Sequence, residues 1–209
     1  MQLNTPANNE TVFVVDDDPA ILKALSRLLR SHHFQVETFQ SARSFLEQHD
    51  DSTPGCLILD IAMPDVSGLE LQKILKSTNS LRPIVFLTGY SDVPNAILAM
   101  RAGAVNFLIK PVNSKILLEA VREALEKDRL DRSSRAEVLS GQNRLAALTP
   151  REREVMGYVV KGLLNKQIAA ELGTVEKTIK VHRSRVMHKM GVRSLAELVR
   201  VAGRLGIGG

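Results

Sequence analysis

Between residues 11 and 128, short apolar runs rich in β-branched residues alternate with stretches of helical periodicity. Thr11–Asp16, Phe34–Phe39, Cys56–Asp60, Pro83–Thr88 and Val105–Ile109 predict five strands. Pro19–Ser31, Ala42–Gln48, Gly68–Ser77, Val93–Ala102 and a stretch from Ser114 onward predict the helices between and after them. Such a series builds βαβ units, hence a parallel sheet with helices on both faces. The continuous apolarity of the central runs suits strands buried on both sides.

Past residue 148 the strand signal disappears. "LTPRERE" places Thr149 as a cap, Pro150 at the first helical position and Glu152 three residues after the cap, and the helix it opens is expected to run to about Lys161. "NKQIAAELG" predicts a short helix with Ile168, Ala169 and Leu172 inward, and Gly173 turns the chain. A longer helix, capped by Thr174, is expected to reach Met190 with Val175, Ile179, Val186 and Met190 as its core stripe. Helix, glycine turn, helix is a helix-turn-helix pattern. The stretch 129–147 reads as a linker. Acid-to-base pairs at i, i+4 (Glu123 and Lys127, Asp128 and Arg132, Asp131 and Arg135) predict that the preceding helix overruns into it, to Leu139, with Gly141 as its stop.

Charge sharpens the division. Of 209 residues 44% are hydrophobic and 24% charged, and the formal net charge is +5. Residues 1–128 hold 12 Lys and Arg against 16 Asp and Glu, whereas residues 148–209 hold 12 against 5. An acidic domain over 1–128 and a basic one over 148–209 point to different partners, nucleic acid for the second. No run of eighteen apolar residues and no leader pattern is seen, so a cytoplasmic protein without a membrane partner is expected. The single cysteine, Cys56, falls in an apolar strand and reads as a buried free thiol.

The candidate chemistry gathers where the strands end. Strand one runs into Asp16, Asp17 and Asp18, strand three ends in Asp60, strand four in Thr88, and strand five is followed by Lys110 and Pro111. In an open parallel sheet these ends face one crevice. Carboxylates held together there suit a divalent cation, and an all-oxygen set favours Mg²⁺. Thr88 and Lys110 would add a hydroxyl and a fixed positive charge for phosphoryl oxygens. Taken singly, Asp18 before Pro19 also reads as a helix cap. On the longer C-terminal helix, Lys177, Val181, Ser184 and His188, flanked by Lys180 and Arg185, form a small basic face suited to the major groove.

"VVDDDP", "LILDIAMPDVSGLEL", "IVFLTGYSDV" and "AGAVNFLIKPV" together resemble the receiver domain of two-component response regulators. The resemblance implies a flavodoxin-like fold with strand order 2-1-3-4-5 and a cis Lys110–Pro111 bond. It further implies Asp60 as phospho-acceptor and Asp17, Asp16 and the Ala62 carbonyl around Mg²⁺. Lys110 is implied at the phosphoryl group, and Thr88 with Phe107 as a switch pair. Phe107 stands where members of the family often carry Tyr. Tyr90 and Met63, bulky residues near the acceptor, are expected to slow hydrolysis of the acyl phosphate.

The segment from "LTPREREV" to "SLAELV" resembles the four-helix DNA-binding domain of the LuxR/FixJ/NarL group. That resemblance puts Lys180, Val181 and Ser184 at bases, Lys166, Lys177, Thr178 and Arg185 at phosphates, and a dimerising fourth helix at Ser194–Arg204. The function implied is a transcription regulator rather than an enzyme. A sensor histidine kinase would phosphorylate it, and it would bind an inverted-repeat operator in double-stranded DNA as a homodimer and work with RNA polymerase. A competing reading is a phosphatase of the haloacid dehalogenase type, whose D-x-D nucleophile pattern Asp16 and Asp18 satisfy. It leaves Asp60 unused and lacks the further acidic site after Lys110.

Overall fold

A computed structural model describes residues 10–89 and 93–207. The chain divides into two compact units, Met1–Arg132 and Ser133–Gly209.

The first unit alternates β1 (Thr11–Val15), α1 (Pro19–Ser31), β2 (Gln35–Phe39), α2 (Ala42–Gln48), β3 (Gly55–Asp60), α3 (Gly68–Ser77), β4 (Ile84–Thr88), α4 (Val93–Arg101), β5 (Asn106–Ile109) and the start of α5 (Ser114–Ala146). The sheet is parallel in the order β2-β1-β3-β4-β5. β1, β3 and β4 are buried at every position, as their unbroken apolar runs demand, while β2 at one edge is buried only at Val36 and Phe39. Val12, Val14, Ile58, Val85 and Leu87 pack against α1 and α5 on one face. Phe13, Val15, Leu57, Leu59 and Phe86 pack against α2, α3 and Ala99 of α4 on the other. Cys56 is buried and free, and burial pushes its thiol upward.

Local signals place the helix starts. The Asp18 carboxylate accepts from the Ala20 amide at 2.8 Å ahead of Pro19, and Ser67 and Glu70 form a capping box at the start of α3. At the amino end of the sheet, the Gly55 amide donates to Asp128 Oδ2 at 2.8 Å. Arg132 Nε donates to the same oxygen, and its two terminal nitrogens donate to the carbonyls of Asp51, Ser52 and Thr53. Arg129 grips Glu10 through two bonds of 2.5 and 2.7 Å. Of the expected helix-surface pairs Asp128–Arg132 forms, whereas Lys127 pairs forward with Asp131.

The expectation that α5 stops near Leu139 at Gly141 is corrected: the helix continues to Ala146. Gly141 is buried and helical, and a Cβ built there would lie 3.2 Å from Leu205 Cδ2. The glycine makes room for a neighbouring side chain instead of ending the helix.

The second unit contains the end of α5 with α6 (Pro150–Val160), α7 (Asn165–Glu171), α8 (Glu176–Met190) and α9 (Leu195–Arg204). Thr149 and Glu152 form the expected capping box, and Ser194 caps α9. Val155, Met156, Ile168, Ile179, Val186, Met190 and Leu198 make its core. Two expectations fail together at the start of α8. Val175, not Thr174, occupies the cap position, in extended conformation and without a side-chain bond, and it is 65% exposed instead of lying in the core stripe. The Thr174 amide is held by the Ala169 carbonyl in the turn, so the helical phase begins one residue later than the sequence suggests. Among the described residues no helix is long and apolar enough to cross a membrane.

Candidate functional site

Register brings the acidic residues together. Val15 pairs with Leu59, so the next residues along β1 and β3, Asp16 and Asp60, leave the sheet side by side. Oxygens of Asp16, Asp17 and Asp60 lie within 4.8 Å of one another. Asp16 and Asp60 are buried and Asp17 is exposed. Lys110, just past β5, reaches back across the carboxyl edge. Its Nζ stands 2.6 Å from Asp16 Oδ2 and 2.9 Å from Asp60 Oδ1. The Lys110–Pro111 bond is cis, and the Lys110 amide donates to the Thr88 carbonyl at 2.7 Å.

Electrostatics follow from this crowding. Desolvation pushes the Asp60 carboxyl upward, Asp16 and Asp17 add repulsion, and Lys110 pulls the other way without cancelling them. Burial works against the charged Lys110 amine, but bonds and charges from Asp16 and Asp60 together outweigh it and raise its pKa. Three carboxylates around one lysine leave a surplus of negative charge. Hard, all-oxygen donors of this kind fit a divalent cation of the Mg²⁺ type. Asp16, Asp17 and Asp60 would hold it, with Ala62 exposed two residues beyond Asp60.

Asp18 does not join the cluster: it caps α1, while its own amide donates to Asp16 Oδ1 at 3.0 Å. Both oxygens of Asp16 therefore already have protein partners. Thr88 is fully buried at the end of β4, and Phe107 is half-buried on β5, in register with Phe86. Met63 is buried with the α2–α4 face of the core, and Tyr90 lies outside the described residues. Sequence reasoning overlooked Gly68. Its amide donates to the Ile61 carbonyl at 3.0 Å, and a Cβ there would come within 2.1 Å of the Asp60 carbonyl oxygen. The loop after Asp60 can fold this tightly only over a bare Cα. A glycine opening a helix straight after a capping serine was the available signal.

In the second unit, Lys177, Lys180, Val181, Ser184, Arg185 and His188 are exposed on α8, Thr178 is half-buried, and Lys166 is exposed on α7. Among the described residues none of Lys166, Lys177, Lys180 and Arg185 is engaged in an ion pair. Arg183 Nη1 donates to Asn165 Oδ1 at 3.3 Å, tying α8 to the first residue of α7.

A doubly wound acidic-crevice domain followed by a basic helix-turn-helix unit defines a phosphorylation-responsive regulator class. Residues 12–122 match the response regulator receiver domain, and residues 146–202 match the bacterial regulatory proteins of the luxR family. The chain belongs to the two-component response regulators with a LuxR-type DNA-binding domain. It is 45% identical to the response regulator protein TodT of Pseudomonas putida, over 93% of this chain and 86% of TodT. Identity to the transcriptional regulatory protein FixJ of Bradyrhizobium diazoefficiens is 41%, over 94% of this chain and 96% of FixJ. A low-resolution structure of the response regulator StyR superposes with a TM-score of 0.85 at 45% identity, covering 93% of this chain and 98% of that one. The phosphatase reading finds no support in these matches.

Proposed function

We propose that this response regulator is switched by phosphorylation of Asp60 and acts on transcription through the exposed face of α8. An Asp60 carboxylate oxygen attacks the phosphorus of a phosphohistidine on a sensor histidine kinase. The P–N bond breaks, its electron pair returns to the imidazole, which takes up a proton, and Asp60 becomes an acyl phosphate. Mg²⁺, when bound, supplies charge neutralisation among the carboxylates and the phosphoryl oxygens. Lys110 moves from bridging carboxylates to balancing the new phosphoryl charge. The Thr88 hydroxyl is drawn to a phosphoryl oxygen, and the Phe107 ring takes up the space it leaves.

The output is a change in association. Two copies would bind an inverted repeat, because one helix-turn-helix contacts few base pairs and two-fold protein symmetry calls for two-fold DNA. Lys180, Val181 and Ser184 would meet bases, and Lys166, Lys177, Thr178 and Arg185 would meet phosphates, in the cytoplasm and alongside RNA polymerase. The protein's only chemistry is gain and loss of its own phosphoryl group. We assign residues 1–128 as the receiver and 148–209 as the DNA-binding domain, joined by 129–147.

The observation that carries this reading is the Asp60–Lys110 pair set beside Asp16 and Asp17 at the carboxyl edge of the sheet. The test is a titration of the full-length protein onto duplex DNA, with and without acetyl phosphate and Mg²⁺, in wild type and Asp60→Asn. Wild type is expected to bind more tightly when phosphorylated, and Asp60→Asn to lose that response while keeping non-specific binding. Equal wild-type binding under both conditions would overturn the switch.

A further inference from the structure

The end of α5 and the end of α8 meet, and each is capped by the other. The last carbonyls of a helix lack intrahelical partners and carry partial negative charge, so two carboxyl ends brought together repel unless cations lie between them. Arg144, in the last turn of α5, donates from Nη1 to the Met190 carbonyl, the last residue of α8, at 3.0 Å. Lys189, in the last turn of α8, donates to the Ala147 carbonyl just past α5 at 3.1 Å, and to Glu152 Oε2 at 2.7 Å.

The surroundings fix both cations. Glu152 accepts from the Thr149 amide at 2.9 Å, so the anchor for Lys189 is itself set by the capping box of α6. Gly191 ends α8 in the left-handed region at φ 66°, and a Cβ there would lie 2.9 Å from Arg144 Nη1. That glycine serves the backbone turn and the approach of the guanidinium at once. Leu145 and Leu148 pack into the same core as Ile179, Val186 and Met190.

We propose that Arg144 and Lys189 form a reciprocal carboxyl-terminal clamp that sets the position of α8, making Arg144 a positioning residue for DNA recognition. The inference rests on the proposed role of α8. The clamp holds one end of a 15-residue helix, while Lys177, Lys180 and Val181 lie toward the other. At about 1.5 Å per residue, Met190 stands about 9 Å along the helix axis from Ser184 and about 15 Å from Lys180. A helix released at one end keeps its charges but loses its fixed aim.

The experiment uses full-length protein. A duplex is first selected from a random pool by wild type treated with acetyl phosphate and Mg²⁺. Affinities for that duplex and for an unselected one are then measured across a salt series for wild type, Arg144→Ala, Arg144→Lys, Lys189→Gln and the Arg144→Ala/Lys189→Gln double variant. Arg144→Ala and Lys189→Gln are each expected to lower the ratio of selected to unselected affinity by about tenfold with the salt slope unchanged. The double variant should lose little more, because both side chains hold one joint, and Arg144→Lys should restore most of the ratio. A flattened salt slope with an unchanged ratio would make Arg144 a phosphate contact and overturn the clamp. So would lower thermal stability with an unchanged ratio. Should Arg144→Ala fail to fold, Lys189→Gln alone decides by the same ratio. Failure of wild type to select any duplex would overturn the DNA-binding reading and the clamp's role with it, which is distinguishable from wild-type selection matched by the variants.

Discussion

Lys110 Nζ lies 2.9 Å from Asp60 Oδ1, and the side chains of the pair are only 22% and 5% exposed. A cation so placed both balances the Asp60 carboxylate and repels any metal that the same carboxylates would hold. Lys110→Ala is expected to tighten Mg²⁺ binding by about tenfold, through removal of a like charge. It should also slow phosphorylation by acetyl phosphate by about 100-fold, through loss of a donor to the transferring group. Calorimetric metal titration and acyl-phosphate labelling read the two effects separately. An unchanged Mg²⁺ affinity would show that the lysine does not oppose the metal. Chelation of the metal should abolish labelling in wild type.

On α8 the expected contacts divide by kind. Lys180→Ala should cost about 1 to 3 kcal/mol at a selected duplex and relax preference at one position of each half-site. Arg185→Ala should weaken all sequences alike and flatten the salt dependence by about one unit. Binding to single-base variants over a salt series checks both, and the same response from the two substitutions would merge the roles assigned to them.

Glu152 is buried in the second unit, where the bond from Lys189 and then the Thr149 amide pull its carboxyl down to about 2. The folded value lies below the ordinary glutamate value of 4.5. This carboxylate therefore contributes stability that is complete above about pH 4.5 and is lost as pH falls toward 2. Glu152→Gln should remove that part of the acid sensitivity and lower stability at neutral pH. Chemical denaturation followed between pH 2 and 7 gives the comparison, and parallel pH curves for the two proteins would contradict it.

Gly55 sits at φ 153°, and a Cβ there would come 1.9 Å from the Thr11 carbonyl oxygen, which belongs to the backbone of a central strand. Neither group can yield without shifting β1 against β3. Gly55→Ala should cost more than about 3 kcal/mol, at the severe end for a single substitution. Thermal unfolding with separate probes for the two units should place the loss in Met1–Arg132, and an unchanged melting curve would refute the steric argument.

The sheet was legible because β1, β3 and β4 carry the unbroken apolar runs Val12–Val15, Cys56–Leu59 and Ile84–Leu87, and the site was legible because its side chains end successive strands. Period-based reasoning failed where a single residue changes phase. Val175 has the right spacing for the core stripe but precedes the first helical residue, so the stripe does not apply to it. The end of α5 was hidden for another reason. Ser133, Ser134 and Gly141 have the composition of a loop, and what keeps them helical is remote: Leu205 against Gly141, Glu137 bonded to Arg204, and Arg144 on Met190. No local pattern announces partners more than forty residues away. Asp128 was visible as a helix-surface charge, but its bond to the Gly55 amide depends on the folded sheet.

Arg132 also bears on protein engineering. Its guanidinium satisfies three consecutive carbonyls, at Asp51, Ser52 and Thr53, in a segment with no ladder of its own. A chimera that splices the receiver half onto a foreign output module at residue 128 would keep Asp128 and delete its guanidinium partner. The carbonyls of Asp51, Ser52 and Thr53 would then lose the guanidinium that binds all three. Carrying the graft through Arg132 retains that fastening, so the natural cut point lies inside a continuous helix.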